Sequence, residues 1–198
     1  MSRIVIWASG EGSNAENLIH YSRTLPNVEI VGIVTNRSQA PVVERARRLQ
    51  VPCYHIDSNN DQQQIALMKE LRAEWAFLAG YMKLLSPEVL HYFRGPFMYQ
   101  GQDILYRVFN IHPSLLPKFK GANALRRSFD SQDDEVGVTV HFVDEGMDTG
   151  PIFLQQSVRV TSEMRSDFFV FKETIHKLEY ECYPKALKWV VTEYSKQK

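Results

Sequence analysis

The residues best suited to chemistry are Asn110 and His112, in Phe109-Asn110-Ile111-His112-Pro113-Ser114-Leu115-Leu116-Pro117, and Asp148, in Met147-Asp148-Thr149-Gly150-Pro151. Apolar residues run up to Asn110, and Pro113 and Pro117 follow His112. Proline has no backbone donor, so a sheet ladder should end there. Two positions apart on an extended chain, Asn110 and His112 point to the same face. A neutral amide donor beside a titratable ring suits negative charge developing on a carbonyl oxygen. A carboxylate such as Asp148 would hold or charge that ring. The plain alternative is a hydrogen-bonded pair at a sheet rim, without chemistry.

The elements that must position these residues follow from the flanking pattern. Ile4 to Ala8 is a continuous apolar run, as expected of a strand covered on both faces. Gly10, Gly12, Ser13 and Asn14 form a tight turn, and a helix is expected from Ala15 to about Arg23. Strands are expected at Val28 to Thr35, Pro52 to Ile56, Trp75 to Ala79 and Val108 to Ile111. Helices fall between them: one from Pro41, one over Gln62 to Ala73 with Ile65, Met68 and Leu71 on one face, and a short one capped by Ser86 with Pro87 at its first position. This alternation predicts an α/β fold, a mostly parallel, doubly wound sheet with helices on both faces. After residue 108 the pattern changes. Gly137 to Val143 and Ile152 to Val160 are expected as strands with no helix between them, giving an antiparallel or mixed edge. A closing helix spans about Phe168 to Tyr194, with a break expected near Pro184. A two-strand hairpin around Gln100-Gly101-Gln102 is expected over Pro96 to Arg107, as a surface excursion lying over the substrate pocket or against a partner chain, dispensable for folding but able to tune access to the pocket.

The bulk numbers bound the function. At 198 residues the chain suits one domain spanning 1–198, with an N-terminal half of about 1–108 and a C-terminal part of about 109–198. Lys plus Arg and Asp plus Glu are 23 each, which offers no electrostatic argument for nucleic acid or a membrane surface. Cys53 and Cys182 have no motif spacing, so reduced thiols in a cytoplasmic protein are expected. The apolar start is too short for a signal peptide or a membrane span. No Cys, His and acid cluster has metal-ligand spacing, so no metal is expected.

Gly10-Glu11-Gly12-Ser13-Asn14 follows a strand and opens a helix, where backbone donors bind phosphate well. It also meets a loose dinucleotide pattern. That pattern wants an acid at the end of the second strand, and this chain has Thr35-Asn36-Arg37. A glycine turn without ligand is the third possibility. Tyr81-Met82-Lys83-Leu84-Leu85 taken alone is core plus a helix entry. His141 is expected to support the site rather than react. Lys118, Lys120, Arg126 and Arg127 are expected to be solvated, with a lesser possibility of attracting an anionic substrate.

Asn-Ile-His-Pro-Ser-Leu-Leu-Pro, with Val140-His141-Phe142-Val143 and Asp148-x-Gly150-Pro151, resembles the folate-dependent formyltransferases, above all their glycinamide ribonucleotide-using branch in purine synthesis. The likeness runs from Ile4 to about Leu187. It implies a Rossmann-like formyltransferase fold with a mixed C-terminal part. It also implies small-molecule substrates: 10-formyltetrahydrofolate as cosubstrate and the amine of glycinamide ribonucleotide as acceptor. Asn110, His112 and Asp148 would be catalytic, with Asp148 raising the His112 pKa. Gly12, Ser13, Asn14 and Glu179 would hold the nucleotide. Met82, Lys83, Leu84, Leu85, Val143 and Glu145 would line the folate pocket. The resemblance departs at Pro96 to Arg107, at Phe119-Lys120-Gly121-Ala122-Asn123, closer to the formyltetrahydrofolate deformylases, and at His176. A deformylase shares the three catalytic residues and uses water in place of the amine. Against it stand the phosphate loop and the missing regulatory domain. Another amine N-formyltransferase and a non-catalytic folate-binding relative are the remaining alternatives.

Overall fold

A computed structural model of the chain describes residues 1–131 and 133–196. The expected domain span of 1–198 therefore includes three residues outside the described ones. In chain order the elements are β1 (Ser2–Trp7), α1 (Ser13–Ser22), β2 (Val28–Thr35), α2 (Pro41–Arg48), β3 (Cys53–His55), α3 (Asp61–Glu70), β4 (Trp75–Leu78) and α4 (Pro87–Tyr92). There follow β5 (Arg94–Tyr99), β6 (Gln102–Tyr106), β7 (Val108–His112), α5 (Ala124–Asp130), β8 (Glu135–Phe142), β9 (Ile152–Arg159), α6 (Ser162–Ser166) and α7 (Phe168–Thr192). One seven-stranded sheet has the order β3-β2-β1-β4-β7-β8-β9, and β5 and β6 form a separate pair.

The strands β3, β2, β1, β4 and β7 run parallel, which the intervening helices make possible. β8 and β9 then pair antiparallel, so the mixed edge is as expected. The two faces bury separate clusters. Ile4, Ile6, Phe77 and Phe109 face α1 and α7, whereas Val5, Trp7, Ala76 and Val108 face the side with Met68, Val89 and Leu90. This period-2 division explains why the central strands read as unbroken apolar runs. The Ser86 hydroxyl caps α4 by accepting the Val89 N–H at 3.2 Å, with Pro87 in the first turn.

Two expectations need correction. α7 does not break at Pro184, which lies buried inside it. A proline there has no N–H for the carbonyl four residues back. That carbonyl, of Tyr180, instead accepts a bond from Asn17 Nδ2 at 2.9 Å. The vacancy in the helix ladder thus becomes a tie between α7 and α1.

The second correction concerns the hairpin. It forms around Gln100 and Gly101, both with positive φ, as expected. It is not a dispensable excursion. Ile104 is 1% exposed within the core beneath α7, and Phe97 packs its ring against Trp75, Phe142 and Trp189. Exposed and inward residues alternate along both strands, and the inward ones enter the core. Replacing Ile104 with Ala should therefore lower the unfolding free energy by about 2–5 kcal/mol, as for other buried large-to-small changes. Denaturant titration checks this, and a loss below about 0.5 kcal/mol would return the hairpin to the surface.

Candidate active site

β7 ends at the carboxyl edge of the parallel sheet, where open α/β sheets bind their ligands. Its last residues bring Asn110 and His112 to the same face, and β8 sets His141 directly opposite Asn110. Asp148 arrives from the β8–β9 connection with φ +52°, a left-handed conformation that Asp tolerates better than most residues. The four side chains meet. Asp148 Oδ2 is 3.3 Å from His112 Nδ1, and Asp148 Oδ1 is 3.5 Å from His141 Nε2. Asn110 Nδ2 lies 3.1 Å from His141 Nε2 and 3.4 Å from Asp148 Oδ1. His141 Nδ1 is 2.7 Å from the Phe142 carbonyl, so its proton sits on Nδ1 and Nε2 accepts from Asn110. His141 thus supports Asn110, as expected of it.

Two backbone groups complete the arrangement. The Phe119 carbonyl is 3.0 Å from His112 Nε2, and the Gly121 N–H donates to Asp148 Oδ2 at 2.8 Å. Neither was found from the sequence, because backbone groups carry no residue signature. The one available signal is Gly121 itself, with φ +80° and space for a Cβ only 2.9 Å from Met147 Sδ.

The charges follow from these contacts. Burial alone would raise the Asp148 pKa. The adjacent His141 ring and the Gly121 N–H, with the charge of either histidine when protonated, outweigh it and bring the carboxyl down to about 2. His112 is 5% exposed, and burial pushes it below its ordinary value, against Asp148 and the Phe119 carbonyl. Asp148 does favour the charged ring, as expected, but desolvation is the larger effect. A neutral imidazole has one N–H, yet this ring faces an acceptor at each nitrogen. It is one proton short of satisfying both, which makes it a poised proton acceptor.

A second cluster forms at the start of α1. Gly12 caps the helix with φ +74° and has no side chain to bond the first-turn amides, so among the described residues the helix presents open donors there. A Cβ on Gly12 would lie 2.4 Å from Val42 Cγ2, so substitution there would displace α2 as well as obstruct a ligand. Asn14 Nδ2 donates to Glu179 Oε2 at 3.1 Å across 165 residues of sequence. The Asn14 Oδ1 atom is buried and has no hydrogen-bond partner among the described residues. Glu179 is 7% exposed, and burial raises its pKa to about 7 despite the Asn14 bond. His176, one turn earlier on α7, is half-buried and lowered by burial and by Lys172.

Of the expected folate segment, Met82, Lys83 and Leu84 are exposed beside the sheet edge, and the Met82 N–H bonds the Ser9 hydroxyl at 2.9 Å. Leu85 is instead part of the core with Val89 and Leu90, so its side chain is not available to a ligand. Val143 is half-buried and Glu145 exposed on the β8–β9 loop. Three of the four cations after Pro117 are engaged: Lys118 with Asp133, Arg126 with Asp130, and Arg127 with the Lys120 carbonyl. Among the described residues no group of three or more His, Cys, Asp or Glu could hold a metal. None of the described helices is long and apolar enough to cross a membrane.

The formyl transferase family model matches residues 2–187. The chain belongs to the formyl transferase family. It is 32% identical over 196 residues to phosphoribosylglycinamide formyltransferase of Bacillus subtilis, covering 95% of this chain and 94% of that protein. It is 33% identical to the Haemophilus influenzae protein of the same name, over 96% of this chain and 87% of that one. The crystal structure of phosphoribosylglycinamide formyltransferase from Bacillus halodurans superposes with a TM-score of 0.85 at 33% identity, covering 98% of this chain and 97% of that one. The expected fold and the expected class, a formyltransferase enzyme, are both met.

Proposed function

We propose that the protein transfers the formyl group of 10-formyltetrahydrofolate to the amine of glycinamide ribonucleotide, a step of de novo purine synthesis in the cytoplasm. The observation that supports this most directly is the meeting of Asn110, His112 and Asp148 at the end of β7, in a chain of this family. The amine nitrogen attacks the formyl carbon, and the carbonyl π pair moves onto oxygen. Asn110 Nδ2 donates to that oxygen, giving up its long 3.4 Å contact with Asp148. His112 accepts the proton lost by the amine and becomes a cation stabilised by Asp148. The proton then passes to the leaving folate nitrogen as the carbon–nitrogen bond breaks and the carbonyl re-forms. No covalent enzyme intermediate and no metal are needed.

The open amides at the start of α1, with Gly12, Ser13 and Asn14, receive the nucleotide phosphate. Glu179 faces the ribose. Met82 and Leu84, both exposed, receive the folate together with Val143 and Glu145, since a pterin wants apolar side chains beside free backbone groups. Lys83 offers a point charge where a planar fork would give bidentate contact. The deformylase alternative separates cleanly. Folate product should appear only when glycinamide ribonucleotide is added. Formate release at a comparable rate without any amine would show that water is the acceptor and overturn the proposal.

A further inference from the structure

We propose that the β5–β6 hairpin belongs to the cosubstrate site, with Tyr106 as the positioning residue that holds one wall of the folate pocket through Glu145. The inference rests on the folate assignment made above. Tyr106 ends β6 and is 2% exposed, packed in the core with Phe93 and Val108 and edge-on to the His91 ring at 5.9 Å. Its hydroxyl donates to Glu145 Oε1 at 2.9 Å. A buried phenol is a rigid post, because its ring is fixed by packing and its reach is set by bond lengths. Glu145, by contrast, is an exposed side chain on a connection without regular structure. Alone it would sample many rotamers in water.

The connection from Val143 to Thr149 has three kinds of tie. At its start the Val143 N–H bonds the Val108 carbonyl at 2.9 Å. Inside it, the Asp144 carboxylate accepts from the Gly146 N–H at 3.0 Å and the Thr149 hydroxyl at 2.6 Å. Towards its end Asp148 is held by the Gly121 N–H and lies against His112, His141 and Asn110. The Tyr106–Glu145 bond spans the gap between these ties and joins the connection to the hairpin. Asp148 has its own anchors, so loss of the Tyr106 bond should loosen the pocket wall and leave the proton machinery in place. A merely structural role, satisfying a buried hydroxyl, would give the opposite pattern.

The test is a double-mutant cycle with Tyr106→Phe and Glu145→Ala, read by steady-state kinetics for both substrates and by thermal unfolding. Each single change should raise the folate KM about tenfold, as expected for loss of one hydrogen bond to a charged group. The double variant should be no worse than the poorer single. For Tyr106→Phe the nucleotide KM and kcat should stay within about twofold, because Asp148 keeps its other ties. An unchanged folate KM with a lowered unfolding temperature makes the bond structural and overturns the inference, as do independent, multiplying effects in the double. Glu145→Ala keeps the test open should Tyr106→Phe fold poorly, since Glu145 is exposed. An unmodified enzyme that shows no folate-dependent transfer would instead overturn the function proposed above, whatever the variants do.

Discussion

Asp148→Asn is expected to lower kcat by about two to four orders of magnitude, the range for loss of acid–base assistance, with both substrates still binding near normally. The amide keeps the size of the carboxyl but not its charge. In the native site the carboxyl stays ionised throughout the working range, because its pKa is about 2. It therefore stabilises the His112 cation whenever the ring takes a proton. An Asn oxygen can accept from His112 Nδ1, but it supplies no compensating charge in a buried setting. The pH dependence carries a second expectation. The rate requires a ring able to accept a proton, so it should fall as pH drops through the His112 pKa, which burial places below its ordinary value. Removing Asp148 removes the largest influence holding that pKa up, so the acid limb should move to lower pH in the variant. A limb that stays in place or moves to higher pH would contradict the pairing, as would normal kcat with weakened folate binding.

The second large effect concerns Asn110. Asn110→Ala should cost about 3–4 kcal/mol of transition-state stabilisation, a fall of two to three orders of magnitude in kcat, because one preorganised donor to the developing oxyanion is gone. The ground-state folate carbonyl gains less from that donor, so the folate KM should change only a few-fold. The same change leaves His141 Nε2, buried at the sheet edge, without its 3.1 Å donor. That should lower stability by about 1–3 kcal/mol. The two losses are separable by measuring unfolding and single-turnover rate on the same preparation. If kcat is near normal and only stability falls, Asn110 is a structural partner of His141 and the oxyanion role is wrong.

Much of this architecture was legible along the chain because its signals are local. A strand buried on both faces must be apolar at successive positions, so Ile4 to Trp7 and Trp75 to Leu78 declare themselves. Gly12, Pro87 and Pro113 mark where backbone geometry changes, since each restricts or frees φ in a known way. The pair Asn110 and His112 was visible because alternation on a strand is a covalent property. Glu179 and Leu85 show the limit. A helix acid among apolar neighbours does not announce its burial, and Leu85 lies on the inner side of a turn whose sequence also suits a pocket.

The order of elements, the parallel sheet with its mixed edge, and the side chains that share a face at the end of β7 all follow from local pattern. Which distant groups meet does not. Asn14 finds Glu179 because α1 packs on α7, helped by the carbonyl that Pro184 leaves open to Asn17. His112 and Asp148 meet the Phe119 carbonyl and the Gly121 amide because the segment after Pro117 turns back over the site. The hairpin joins both core and pocket wall because Ile104 and Tyr106 turn into opposite clusters. Local pattern reports how a residue relates to its own strand or helix. Partnership across the fold depends on where the chain returns, and that is set by the packing of all the elements together.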